Sequence, residues 1–265
     1  MTKPSKELLK RTYAQDASIY QETPEAVAFP KSAEDVVALV RSGARLIPRA
    51  AGTSLAGQVV GDGTVLDTGR YMNAILQVNI EERWAEIQPG VVRDELNHHL
   101  KEQGLFFGPN TSTSNRCMMG GMVGNNSSGS TSISYGTTRE KLLGLELVTA
   151  DGVLRAMGDI QSDGVRDITS AVENWMTQWS EAWSAQNLES HFPNPSIHRR
   201  NTGYAIDLIG NDADALLQVM CGSEGTLGIT TKIRVALDPL PPAHVAVVAL
   251  HYHRMDEAMG ATPKL

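Results

Sequence analysis

Glycine, serine, threonine and asparagine gather in two stretches of this chain that contain no carboxylate. One runs from Val36 to Gly61 and the other from Gln103 to Arg139. The chain as a whole is acidic, with a formal net charge of -7 over 265 residues. Loops of small residues let backbone N–H groups approach a ligand closely. Excluding acids keeps the local potential suited to an anion. Arg41, Arg45 and Arg49 lie in the first stretch, Arg116 and Arg139 in the second. A single such loop is explained by a turn. Two in an acidic chain point to a ligand that carries phosphate, with its class left open.

The familiar phosphate motifs fit badly. Gly52–Gly57 has the spacing of a P-loop, but Gln58-Val59 follows where lysine and a hydroxyl residue are needed. Gly120-Gly121-Met-Val-Gly124 lacks the G-x-G-x-x-G spacing of a dinucleotide fingerprint, and Thr111–Met119 is a poor strand to precede it. Nucleotide hydrolysis and a Rossmann dehydrogenase are therefore disfavoured. Backbone amides holding a dinucleotide cofactor's pyrophosphate remain.

Composition narrows the class further. With 41% hydrophobic and 20% charged residues the chain is neither a disordered tail nor a membrane protein. No run reaches the ~18 apolar residues of a spanning helix, and Met1–Lys10 has no apolar core to serve as a secretory signal. Cys117 and Cys221 are too few for a disulfide framework or a cysteine-only metal site. A reducing compartment, the cytoplasm, is expected, with peripheral attachment to the inner membrane left open. The acidic balance argues against nucleic acid as a partner.

Periodicity places the elements. Helix is expected around Glu7–Tyr13, over Ala33–Ser42 behind a Ser32 cap, over Val91–Gln103 with Gly104 as its stop, over Ile168–Trp183 and over Ala213–Met220. Strands are expected at Arg45–Pro48, Thr64–Asp67, Ile75–Ile80, Trp84–Ile87, Leu145–Thr149, Val153–Met157 and Thr226–Leu237. His191–Arg200 reads as irregular. Residues 1–29 form a polar lead-in, 30–108 a first α+β unit and 109–240 a second, with the border at Pro239-Leu-Pro-Pro242. In 241–265 a new strand begins at His244–His251 and a helix at Asp256–Ala261. About 20 residues are too few for a domain, so this segment is either the start of something truncated or packs onto the main body.

Four blocks, in order, carry a resemblance. They are Arg49-Ala-Ala-Gly-Thr-Ser-Leu-Ala-Gly-Gln58, Gln88-Pro-Gly-Val-Val-Arg-Asp-Glu-Leu-Asn97, Gly108–Gly129 and Gly222-Ser-Glu-Gly-Thr-Leu-Gly-Ile-Thr230. Together they resemble the FAD-binding fold of the vanillyl-alcohol oxidase and p-cresol methylhydroxylase superfamily, over residues 20 to 240. Within it the chain is similar to the D-2-hydroxy-acid dehydrogenase branch (D-lactate, glycolate and D-2-hydroxyglutarate). Phe106–Asn126 and Arg199–Asp207 look like large bacterial members that fuse a flavin domain to an iron–sulfur region. The resemblance implies an α+β fold in which two subdomains clasp FAD, with the substrate-cap domain essentially missing beyond residue 241.

The resemblance also implies site roles. The amides of Ala50, Ala51, Gly52, Thr53 and Ser54, beside Arg49, should cradle the pyrophosphate, and Gly57 and Gln58 end that loop. Pro89 and Pro109 should shape the walls. Thr113, Gly120, Gly121, Gly124, Asn125, Asn126, Ser128 and Gly129 should line a second loop. Glu224, Gly225, Thr226 and Ile229 should lie near the adenine or ribityl part. Thr53 stands where the superfamily's flavin-linking histidine would be, so noncovalent FAD is implied. The implied reaction oxidises a small D-2-hydroxy acid to a 2-oxo acid, hydride passing to the flavin. A cap domain and an iron–sulfur electron acceptor would be supplied elsewhere.

No catalytic residue is assigned. Arg116, Arg200 and Tyr204 are candidates for a substrate-facing role, with a structural role the simpler reading. His98 and His99 read as solvated, and His251 and His253 as a pair without a third metal ligand. Cys117 reads as packed, and Trp175, Trp179 and Trp183 as a helical packing stripe. A flavin-binding domain without turnover, and a phosphate-binding protein without flavin, stay open beside the enzyme.

Overall fold

The structure is a computed structural model. It describes residues 5–160, 166–167, 177–183, 188–194, 196–197, 203–209 and 214–264.

Helix α1 (Lys6–Tyr13) is capped by the Ser5 hydroxyl, which accepts from the Leu8 amide. Strand β1 (Ala26–Ala28) follows, a strand not anticipated in the polar lead-in. Helix α2 (Ala33–Arg41) starts at Ser32 as expected, and Gly43 beyond its end has φ +74°. Strands β2 (Leu46–Arg49) and β3 (Thr64–Asp67) complete a three-stranded parallel sheet in the order β1-β3-β2. Helix α2 is the crossover between its outer strands. Its Val36 is fully buried with Leu66, Met72, Val148 and Ile229, so α2 joins the small sheet to what comes later in the chain.

The hairpin β4 (Ile75–Asn79) and β5 (Trp84–Ile87), helix α3 (Arg93–Leu100) and strand β6 (Leu105–Phe106) follow. Gly104 turns the chain at φ +73°. The second acid-free stretch holds three short helices that the sequence reading leaves as loop. They are α4 (Met119–Gly124), α5 (Ser132–Tyr135) and α6 (Thr138–Lys141). Helix α4 forms despite three glycines because Met119, Met122 and Val123 are buried. Strands β7 (Leu142–Val148) and β8 (Leu154–Gly158) make the expected hairpin. Short strand β9 (Arg166–Asp167), helix α7 (Asp214–Met220), strands β10 (Ile229–Ala236) and β11 (Asp238–Pro239) and helix α8 (Met255–Ala261) end the order.

The large sheet runs β4-β5-β10-β7-β8-β9, antiparallel except for β8 with β9. It takes strands from both sides of residue 108, so the expected border at 108/109 does not coincide with a division between sheets. One face packs Ala85, Ile87, Leu145, Leu147, Ile233 and Val235 against Leu96 and Leu100 of α3, α4 and α7. Full burial of each leucine is worth about 1.5–3 kcal/mol. Alternation sends Glu86, Glu146 and Arg234 to the other face. There Arg234 meets Glu86 at 2.8 Å and lies 4.1 Å from the Trp84 ring centroid.

Two expectations fail or fall outside. Residues 244–251 form no strand, and every residue from 241 to 257 is exposed, so this segment does not pack onto the body. Its alternating valines pair with no strand, and a strand needs a partner for its backbone groups. Of the expected helix over Ile168–Trp183 the described part, 177–183, is helical, and Trp175 lies outside the described residues. Trp179 donates to the Ile206 carbonyl at 3.2 Å and leans on Trp183, as a packing stripe would.

Candidate functional site

Strands β2 and β3 end side by side, with Arg49 and Asp67 as register partners. The chain leaves β2 directly into the first glycine loop. From the other side, α4 is seated by the Gly120 amide on the Pro89 carbonyl and the Met119 amide on the Val91 carbonyl, both at 2.8 Å. A Cβ on Gly120 would stand 2.6 Å from that of Pro89, so only glycine allows this seat. The segment after α7 closes the third side: Gly222 and Glu224 donate to the carbonyls of Val123 and Gly124 at 2.9 and 2.8 Å.

Between the three segments lies an open cleft. Of the expected residues, Arg49, Ala50, Pro89, Gly120, Gly121, Gly124, Glu224, Gly225 and Ile229 line it. Gly121 is exposed on its floor, where a Cβ would touch that of Ala50 at 3.3 Å. Gly225, at φ +73°, lies against Pro48. Glu224 is held at φ +54°, a conformation few non-glycine residues adopt. Burial pushes its carboxyl above the usual range, opposed by a hydrogen bond from Gln58, which ties the first loop to the third segment.

The first loop presents donors. Among the described residues, the amides of Ala50, Ala51, Gly52, Thr53 and Ser54 have no protein acceptor. Gly52 and Gly57 have φ of +65° and +78°. The arginines of the acid-free stretches keep their charge, and of the five only Arg45 is in an ion pair among the described residues. Arg41 donates to the Gly152 carbonyl, Arg45 pairs with Asp62, and Arg49 donates to the Gln15 carbonyl. Arg116 donates to Asn115, and Arg139 to the carbonyls of Gln218 and Cys221. An anion here is met by backbone N–H groups, as at other loops of this kind.

The remaining expected residues, Ala51–Ser54, Gly57 and Gln58 of the first loop among them, are not in the cleft's lining. The Pro109 carbonyl accepts from Arg93, and Thr113 caps a turn whose Arg116 and Cys117 amides donate to its carbonyl. Asn125 is exposed, while Asn126 is buried at φ +46° and accepts from the Arg139 amide. Gly129 is pressed against Asn110, whose carbonyl oxygen a Cβ would meet at 2.3 Å. Ser128 has a buried hydroxyl with no protein partner. Thr226 donates to the Ser223 carbonyl and meets the Tyr204 hydroxyl at 2.5 Å. Tyr204 thus joins the third segment, Arg116 is exposed, and Arg200 lies outside the described residues.

Sequence reasoning missed Pro48, Val59, Thr68, Val123, Met220, Ser223, Gly228 and Thr230, which also line the cleft. Several adjoin the quoted blocks; Thr68 and Met220 carry no local signal. Burial raises the thiols of Cys117 and, to about 12, Cys221, so both are packed groups rather than nucleophiles. Among the described residues no cluster of metal ligands occurs, and His98, His99, His251 and His253 are exposed.

A sequence profile described as "FAD binding domain" matches residues 24–158, just over half of the chain. The chain belongs to this FAD binding domain family. The unpartnered amides at Ala50–Ser54, the orphaned Ser128 hydroxyl and the glycine floor at Gly120, Gly121 and Gly124 fit FAD as the group held. D-2-hydroxyglutarate dehydrogenase of Pseudomonas putida is 35% identical over 262 residues, covering 94% of this chain and 26% of that protein. "Glycolate oxidase subunit GlcD" of Bacillus subtilis is 29% identical, over 93% of this chain and 44% of its own length. The chain thus spans about a quarter of the dehydrogenases it matches. Among solved structures, an alkyldihydroxyacetonephosphate synthase aligns with a TM-score of 0.61 at 22% identity, over 89% of this chain and 38% of that one. The 6-hydroxy-D-nicotine oxidase of Arthrobacter nicotinovorans aligns with a TM-score of 0.59 at 21% identity, over 88% and 40%. The fold is the expected α+β FAD-binding fold of the p-cresol methylhydroxylase type. Among the described residues no helix is long and apolar enough to cross a membrane.

Proposed function

We propose that this chain is the FAD-binding module of a flavin-dependent dehydrogenase that oxidises a D-2-hydroxy acid to a 2-oxo acid, with D-2-hydroxyglutarate the first substrate to test. The observation that carries the reading is the convergence of three separate segments on one glycine-floored cleft beside a run of unpartnered amides. The amides of Ala50–Ser54 hold the pyrophosphate, Gly57 and Gln58 close that loop, and Pro89 with Gly120, Gly121 and Gly124 forms the wall nearest the bound group. Pro109, Thr113, Asn125, Asn126, Ser128 and Gly129 shape the second loop. Glu224, Gly225, Thr226 and Ile229 border the third side.

Bound FAD supplies two-electron acceptance, so that the C2–H leaves as hydride, the hydroxyl as a proton, and the acid becomes a 2-oxo acid. The chain's own residues bind and orient, and attachment is noncovalent, with Thr53 rather than a linking histidine in the first loop. No histidine lines the cleft among the described residues. We assign the proton-accepting base, the substrate-covering cap and the iron–sulfur electron acceptor to sequence outside this chain. Two unpaired cysteines suit a reducing compartment, and we place the protein in the cytoplasm.

The test is a visible spectrum of purified protein, supplemented with FAD and desalted, then given D-2-hydroxyglutarate or D-lactate without oxygen. Retained flavin that bleaches supports the dehydrogenase. Retained flavin that stays oxidised with both acids leaves a binding module without turnover. Folded protein that retains no flavin overturns the reading.

A further inference from the structure

The segment before residue 24 lies outside the part of the chain that matches the FAD binding domain family, yet it is built onto the first glycine loop. The Ala17 amide donates to the Gly52 carbonyl at 3.1 Å. Arg49, which opens the loop, donates through Nη1 to the Gln15 carbonyl at 2.8 Å, and its guanidinium centre lies 5.2 Å from the Tyr13 ring centroid. That guanidinium lies under Gly52, where a Cβ would meet Nη2 at 2.4 Å. The Tyr20 ring fills the space under Gly57, 2.8 Å from where a Cβ would be. The Tyr13 hydroxyl donates to the carboxylate of Asp67, the register partner of Arg49. A bridge between Gln15 and Gln21 and a bond from the Glu22 amide to the Ala14 carbonyl close the segment on itself.

Packing of a terminal helix for stability alone would need apolar burial. Helix α1 buries no residue fully, Ala14 just after it is the one fully buried residue of the segment, Tyr13 meets the Phe29 ring edge-on, and Ile19 and Tyr20 are 95% and 56% exposed. The specific bonds go instead to the loop whose amides have no protein acceptor. The bonds fix two features that a cradle needs, the direction of the Gly52 carbonyl and the exit of the chain at Arg49, and the Tyr20 ring packs under the left-handed turn at Gly57.

We propose that residues 5–22 are a strap that sets the first loop in its ligand-ready geometry, with Arg49 and Tyr13 as positioning residues acting through that loop. This rests on the reading of the loop as the FAD pyrophosphate site. By linkage, a strap that favours the bound form is in turn favoured by the ligand. FAD therefore protects the strap, and loosening the strap weakens FAD.

Two measurements on the whole chain test this. The first is the FAD Kd, from flavin fluorescence, for the wild type, Tyr13→Phe and Tyr20→Ser, alongside thermal unfolding without FAD. Tyr13→Phe keeps the ring and removes one hydrogen bond to a carboxylate, and we expect Kd to rise about tenfold; Tyr20→Ser changes an exposed ring and should fold even where the first variant does not. The second is trypsin cleavage after Arg11 in the wild type, which saturating FAD should slow about fivefold or more. A wild type that binds FAD while both variants keep its Kd, or whose cleavage ignores FAD, overturns the strap and leaves the FAD site standing. A lowered Tm with Kd unchanged also overturns it, since that is a purely structural segment. A folded wild type that binds no FAD overturns both.

Discussion

At Gly121 the backbone is an ordinary helical one, the residue is exposed, and a Cβ would press on that of Ala50 at 3.3 Å, so the first loop would have to give way by a few tenths of an ångström. Alanine is a better helix former than glycine by about 1 kcal/mol. The tight contact with Ala50 opposes that gain, so Gly121→Ala is expected to change unfolding by no more than about 1 kcal/mol and to weaken FAD binding about tenfold or more by raising the cleft floor. Denaturant unfolding and a fluorescence titration read the two effects separately, and unchanged binding would remove Gly121 from the site. Gly129 differs, because its Cβ would meet the Asn110 backbone, so substitution there disturbs fold and ligand together. The same contrast explains what was legible residue by residue. The glycine blocks stood out in the sequence because close approach demands glycine. Thr68 and Met220 did not, because their place in the cleft is set by strand ends and helix packing far away in sequence.

Among the elements, the sheet's polar face carries the most exacting contact. Arg234 and Glu86 are both buried, and Arg234 also covers Trp84. Breaking such a pair from one side leaves a buried charge without its partner, at a cost of about 3–5 kcal/mol. Arg234→Met is expected to lose stability in that range by urea unfolding, and adding Glu86→Gln should return part of it. Recovery with the second substitution separates charge from lost packing over the indole. Element boundaries were legible wherever a local signal set them: Ser32 before α2, Gly104 after α3, and the Asp151-Gly152 turn between β7 and β8. Strand β1 is three residues long in a polar context and exists because β3 pairs with it. Helix α4 runs against its own propensity and is held by three buried side chains. His244–His251 shows the reverse: strong alternation without a partner strand gives no strand.

For the molecule as a whole, a ligand that binds only the folded state stabilises it by mass action. FAD at one hundred times its Kd is expected to add about 2.7 kcal/mol, read as a rise in Tm of about 5–10 °C for a domain of this size. Nicotinamide dinucleotide, sharing the pyrophosphate but not the flavin, should give a much smaller rise; an equal one would move the recognition from flavin to phosphate. The order of the large sheet also bears on how the chain is made. Strand β10 sits between β5 and β7, yet it is synthesised some 80 residues after the second of them. Until it emerges from the ribosome, the β4–β5 and β7–β8 hairpins each present an open edge of unpaired backbone. The nascent chain therefore passes through a long interval in which its largest sheet is two halves awaiting a keystone, and chaperone demand should fall sharply once residue 236 is out.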